Sequence, residues 1–128
     1  MTYNGFLAGC IISLLVHEVG HIWAAMATGV RVKRIGMSWW GPYIVRESGP
    51  PAANLIVSAA GPTINLIAAA IAWHSWPGVA FANLVLGLSN LYPTPTSDGR
   101  RVLTELPLAW NEARKQKPVP GSLRREIA

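Results

Sequence analysis

The sequence predicts an all-α membrane protein with three transmembrane segments, at about residues 5–30, 51–76 and 79–92, the last with a broken extension to 99. A small β-hairpin is expected at about 31–48. Three observations carry this prediction. Hydrophobic residues make up 51% of the 128 residues and charged ones only 13%, against roughly 25% charged in an ordinary soluble domain. All 11 Lys and Arg fall in two blocks, Arg31 to Arg46 and Arg100 to Arg125, with none before or between. Proline and glycine pairs punctuate the apolar stretches at their ends.

The first span, Gly5 to Val30, has Glu18 as its one charged residue. As a helix it is about 39 Å long, more than a hydrocarbon core of roughly 30 Å requires. It is too long for a signal-peptide core and has no basic N-terminal region, so it reads as a retained transmembrane helix. The second span opens on Pro50-Pro51 and closes before Pro77-Gly78, with Pro62 expected to kink it. Its segment Ser58-Ala59-Ala60-Gly61 either lets another helix approach closely or takes a direct part in a site.

Val79 to Tyr92 gives only about 21 Å of helix before Pro93-Thr94-Pro95 stops it, too short to cross a bilayer unaided. Thr96-Ser97-Asp98-Gly99 then reads as polar irregular backbone, tolerated at membrane depth only where protein encloses it or a wet cavity adjoins it. Between the first two spans, β-formers around Gly41-Pro42 suggest a hairpin at the cytoplasmic interface, or else a packed loop. Arg100 to Lys117 mixes Leu103, Leu106, Leu108 and Trp110 with charges, which suits the membrane surface. Residues 118–128, carrying Arg124-Arg125, read as disordered. There is no internal repeat; the expected division is a core over 1–106 and a basic cytoplasmic tail over 107–128. Trp39, Trp40, Trp73, Trp76 and Trp110 fall near expected interfaces, where tryptophan is common.

The net charge of +5 has the distribution of the positive-inside rule rather than that of a nucleic-acid surface. Three crossings put both basic blocks on one side, the cytoplasm, and the N-terminus outside. The expected setting is an integral membrane protein of a prokaryotic cell membrane. The lone Cys10 excludes an internal disulfide and a cysteine-based metal site; small-residue packing is its simpler role.

Residues His17-Glu18-Val19-Gly20-His21 form an H-E-x-x-H box inside the first helix. Four residues advance a helix by about 400°, so both imidazoles leave one face a turn apart and can reach one Zn²⁺. Glu18, one step round, is placed to take a proton from water rather than to ligate. A carboxylate and two imidazoles in hydrocarbon are costly and mark a functional site. A catalytic zinc needs a third protein ligand. His74 lies between Trp73 and Trp76 at the outer end of the second span. Glu47, Glu105, Glu112 and Glu126 belong to the loop or tail and have ordinary solvated explanations. Asp98 remains.

These residues resemble the site-2 protease family of intramembrane zinc metalloproteases. The resemblance rests on the H-E-x-x-H box, on Ala60-Gly61-Pro62 followed by Asn65, and on Asn90-Leu91-x-Pro93-x-Pro95-x-x-Asp98-Gly99, and covers about residues 5–106. It implies one zinc per chain held by His17, His21 and Asp98, Glu18 as general base, Asn90 near the site, and a metal at water-accessible depth on the cytoplasmic side. The PDZ-like domain, the nucleotide-sensing domain and the additional helices of many relatives are not expected within these residues. Ser97 is polar where relatives often have an apolar residue.

The leading expectation is peptide hydrolysis in a membrane-protein substrate, with the hairpin holding the unwound chain by strand addition. Asn90 would either donate to the oxyanion or make a capping or inter-helix bond. The alternative is a catalytically silent membrane adaptor of the same fold, against which the intact Glu18 argues. Zinc transport would need successive sites, and this sequence offers one. Three helices leave much of such a site open to lipid, so a homo-oligomer or a membrane partner is expected.

Overall fold

The computed structural model describes residues 3–39 and 41–116. Among these are four helices, α1 (Tyr3–Thr28), α2 (Pro51–Ala72), α3 (Pro77–Leu91) and α4 (Asp98–Gln116), and two strands, β1 (Val32–Ser38) and β2 (Gly41–Arg46). The expected disorder of 118–128 and the placement of Trp40 lie outside the described residues.

Two helices, α1 and α2, are long and apolar enough to cross a membrane. The fifteen residues of α3 extend only about 22 Å and do not span one alone. Large side chains on the outside are apolar: Ile11, Leu15, Val19, Trp23 and Met26 along α1, and Ile56, Ile67 and Ile71 along α2, are all exposed. The interior carries the polar groups instead, with Ser13, His17, Asn54, Ser58, Asn65 and Asn83 buried. Such an inverted arrangement suits a lipid surroundings, because buried polar atoms must find partners within the protein. Among the described residues every buried side-chain nitrogen and oxygen has one.

The ends of the helices follow from local chemistry. Gly29 adopts a left-handed φ of 72°. Val30 N then donates to Ala25 O at 2.9 Å and Gly29 N to Met26 O at 3.4 Å, a Schellman closure. Val30 and Ala25 share one buried apolar cluster beneath it, and this stop trims two residues from the expected first span. Pro51 and Pro77 open α2 and α3 at positions where the missing N–H costs nothing. The second span stops at Ala72, earlier than expected, and Trp73–Trp76 form the turn into α3, with Trp76 N bonded to Ala72 O. Pro62 lies inside a continuous α2 and is buried.

Helix α2 is central, packing against α1, α3 and α4. Close approach is built in. A Cβ on Gly20 would lie 2.6 Å from Ile64 Cγ2 and 2.9 Å from Ala60 O, so the α1–α2 crossing at this level requires glycine.

One expectation needs correction. The Thr96–Gly99 stretch is not irregular throughout, since Asp98 and Gly99 begin α4, which runs on to Gln116. Ser97 explains this. Its Oγ accepts from Arg100 N at 3.3 Å, the bond of a helix N-cap, and from Thr94 N at 3.0 Å, which closes the turn before it. The expected hairpin forms, antiparallel with Ile35 opposite Ile44 and Ser38 opposite Gly41. Its turn folds back along α1, and a Cβ on Gly41 would be 3.8 Å from Leu14 Cδ1. Leu14 precedes His17, so the hairpin flanks the whole motif level of α1.

Candidate metal centre

His17 and His21 leave the inner face of α1 one turn apart, their rings 4.7 Å between centroids and nearly perpendicular. From α4, Asp98 points back at both. Its Oδ2 lies 3.0 Å from His17 Nε2 and 3.0 Å from His21 Nε2, and the two Nε2 atoms are 3.1 Å apart. The side chains of His17, His21 and Asp98 are 7%, 13% and 12% exposed.

The donor set fits a metal. His21 Nδ1 is 2.7 Å from Val57 O, a carbonyl that can only accept, so Nδ1 carries the proton and Nε2 presents a lone pair. That lone pair, a second imidazole nitrogen and a carboxylate oxygen crowd together, which is unfavourable unless a cation sits among them. Tetrahedral zinc with bonds of roughly 2.0 to 2.1 Å sets neighbouring donors about 3.3 Å apart, close to the separations here. Among the described residues, His17, His21 and Asp98 are the His, Cys, Asp and Glu group able to converge on one ion. His74 is exposed in the α2–α3 turn, away from them.

Two glycines make the convergence possible. A Cβ on Gly61 would overlap His21 Nε2 and come within 2.7 Å of His21 Cε1 and 2.8 Å of His17 Cε1. The small-residue segment of α2 is therefore the floor under both rings. A Cβ on Gly99 would overlap the Leu91 carbonyl, so the first turn of α4 seats directly on the end of α3.

A cavity of about 230 Å³ opens beside these groups, and Glu18, half-buried, lines it together with Asn90 and Thr96. Asn90 Nδ2 donates to Leu86 O at 3.1 Å, which uses one amide hydrogen on its own helix and leaves the other. The opposite wall is the hairpin, through Tyr43, Ile44 and Arg46, with Arg101 of α4 beside it. Neither arginine stood out in the sequence. Arg46 Nη1 donates to Asn54 Oδ1 at 2.7 Å and its Nη2 to Ser58 Oγ at 3.2 Å. Burial lowers its pKa from the ordinary guanidinium value, and the like charge of Arg101 adds to that. Asn54 also holds the chain leaving β2, accepting from Gly49 N at 3.0 Å and donating to Gly49 O at 2.9 Å. One polar clamp thus fixes the hairpin to α2.

The sequence profile of peptidase family M50 matches residues 5–79, which take in α1, the hairpin and α2. A zinc metalloprotease of Methanocaldococcus jannaschii is 27% identical over 105 residues, covering 72% of this chain and 31% of its own length. A Synechocystis protein provisionally named a zinc metalloprotease is 32% identical over 109 residues, covering 73% of this chain and 29% of its own. The chain thus spans less than a third of the length of either relative. With more than half of its residues matched by the family profile and a zinc-type donor triad at the motif, the chain belongs to peptidase family M50, the family of the site-2 proteases.

Proposed function

We propose that this chain forms the core of an intramembrane zinc metalloprotease, hydrolysing peptide bonds within or near transmembrane segments of membrane-bound substrates. The observation that carries the reading is the meeting of His17 Nε2, His21 Nε2 and Asp98 Oδ2 within 3.1 Å on the cavity that Glu18 lines. His17, His21 and Asp98 would hold the ion, with the cavity side left open. Zinc, when bound there, supplies a water acidic enough to lose its proton near neutral pH and polarises the scissile carbonyl. Glu18 takes the proton of the attacking water and returns it to the amine that leaves as the C–N bond breaks. Asn90, through its remaining amide hydrogen, is the candidate donor to the developing oxyanion.

A helical substrate hides its amides, so it must unwind before attack. Strand β2 supplies a template: it lines the cavity through Tyr43 and Ile44, and an extended segment laid along it would gain main-chain hydrogen bonds. The charge pattern favours basic blocks in the cytoplasm and an N-terminus outside; the seven residues from His21 to Thr28 would then set the metal about 10 Å from the cytoplasmic end of α1.

The test is Glu18→Gln in purified protein reconstituted with a membrane substrate. Zinc content should stay at one ion per chain while cleavage disappears. Cleavage at the wild-type rate would sink the mechanism; an unchanged biological effect without cleavage would favour the adaptor. Comparing membrane proteomes of cells expressing wild type and Glu18→Gln would identify the substrate as a fragment seen with the wild type alone.

A further inference from the structure

We propose that Asn65 and Asn83 form a positioning relay that fixes the protonation form and orientation of His17, tying α3 to the metal centre through two buried amides. The inference rests on the metal-binding reading of His17.

The orientation of each amide is settled by partners that can only accept. Asn65 Nδ2 lies 3.0 Å from the main-chain Ser13 O and 2.9 Å from Asn83 Oδ1, and Asn83 Nδ2 lies 2.9 Å from Val79 O. A carbonyl oxygen cannot donate, so the NH₂ of Asn83 faces Val79 and its Oδ1 faces Asn65. Likewise the NH₂ of Asn65 must face Ser13, which spends both of its hydrogens and turns its Oδ1 towards His17. That oxygen is 3.0 Å from His17 Nδ1. An oxygen there requires Nδ1 to carry the imidazole proton, which leaves Nε2 bare and directed at Asp98 and His21. Rotating either amide by half a turn would set donor against donor or acceptor against acceptor.

The relay also has an energetic signature. Asn65 and Asn83 are both 0% exposed in helices that are otherwise apolar around them, where an unsatisfied amide is costly. A Leu of similar volume would avoid that cost. A bond between Asn65 and Asn83 alone would suffice to join α2 to α3. The further reach to a ligand ring is what a purely packing role does not require. Outer partners of this kind usually set the tautomer and angle of a metal-binding histidine. His21 serves as the internal contrast, since its Nδ1 donates to a main-chain carbonyl that no side-chain substitution removes.

The experiment uses the full chain labelled with ¹⁵N-histidine in detergent or nanodiscs, first without metal and then titrated with zinc against a competing chelator. With His17, His21 and His74 as its histidines, the imidazole nitrogens can be assigned by single substitutions. At mildly alkaline pH wild-type His17 and His21 should both show protonated Nδ1 and bare Nε2. In Asn65→Leu, His17 should lose that pattern and His21 keep it, with zinc affinity falling roughly 10- to 100-fold. Asn65→Asp, which keeps an acceptor facing His17 Nδ1 but gives up a donor to Ser13 O or Asn83 Oδ1, should keep the His17 pattern that Asn65→Leu loses, with a smaller drop in zinc affinity. Asn83→Leu should weaken zinc binding in the same direction by less. An unchanged His17 tautomer and unchanged zinc affinity in Asn65→Leu would overturn the relay. So would joint loss of both tautomers, because Asn65 would then be holding the site together rather than orienting one ring. If wild-type protein shows the expected tautomers but takes up no zinc, the metalloprotease reading fails and the relay stands.

Discussion

The two walls of the cavity are built on different terms. The metal wall is enclosed: its three donors come from α1 and α4 and are at most 13% exposed, and the two imidazoles rest on Gly61 with no room for a methyl group. The hairpin wall is looser: its lining residues Tyr43, Ile44 and Arg46 are half-buried, Ile35, Met37 and Trp39 on the rest of the hairpin are 59%, 72% and 98% exposed, and the polar clamp of Arg46 and Asn54 joins it to α2. Chemistry at a metal tolerates little displacement, whereas a surface that receives varied extended segments gains from give. Under the proposed function, the first wall would carry the catalysis and the second the handling of substrate.

Substitutions can break that contrast, and the largest effect belongs to the metal wall. Asp98→Ala or His17→Ala should abolish both zinc retention and cleavage, measured by metal analysis and by a reconstituted substrate. A chelator should do the same reversibly in the wild type, and recovery on adding zinc completes that test. Next comes Gly61→Ala, whose Cβ must push both imidazoles aside; overpacking of this sort costs about 1–3 kcal/mol. Zinc affinity should fall by about 10-fold or more, with the helical circular dichroism spectrum unchanged. Zinc binding at wild-type strength in this variant would mean that the rings are less tightly placed than the distances imply.

On the hairpin wall the effects should be smaller and of another kind. Arg46→Met removes the bonds to Asn54 and Ser58, each of the charge-assisted type worth about 1.5–3 kcal/mol. It should raise KM for a membrane substrate several-fold while zinc content stays at one per chain. Loss of zinc in Arg46→Met would show that the two walls are one unit. Smallest of all, Trp39→Ser at the exposed hairpin end should change thermal stability by less than about 0.5 kcal/mol, read as a Tm shift within error.

How much of this was legible in sequence depended on the range of the interaction. Helical spacing alone brings His17 and His21 to one face, because only local geometry intervenes between them. Asp98 stood out through the short third span, whereas its helix was read only from Arg100 onward, as charges mixed with leucines suited to the membrane surface, and α4 contains Pro107. The capping role of Ser97 accounts for a polar residue at a position that had looked like a departure. Long-range packing left weaker marks. Nothing in β1 and β2 says that the hairpin folds back to Leu14, since strand pattern fixes register and not the surface beneath. Asn83 drew no notice in the sequence and Asn65 entered only through the family resemblance, because which group each amide serves is a matter of packing across three helices. Gly61 looked like one small residue among four, and only its closeness to the rings separates it from Ala59 and Ala60.

The separation of the donors along the chain has a mechanical consequence. His21 and Asp98 are 77 residues apart, and between them lie the hairpin, α2 and α3. An ion shared by α1 and α4 therefore ties off a loop that contains most of the molecule, acting as a removable staple as well as a reagent. Binding energy at such a closure is also folding energy, so occupancy would raise resistance to unfolding by mass action. The segment Tyr92–Ser97, exposed up to Thr96, is where an untied α4 would first come loose.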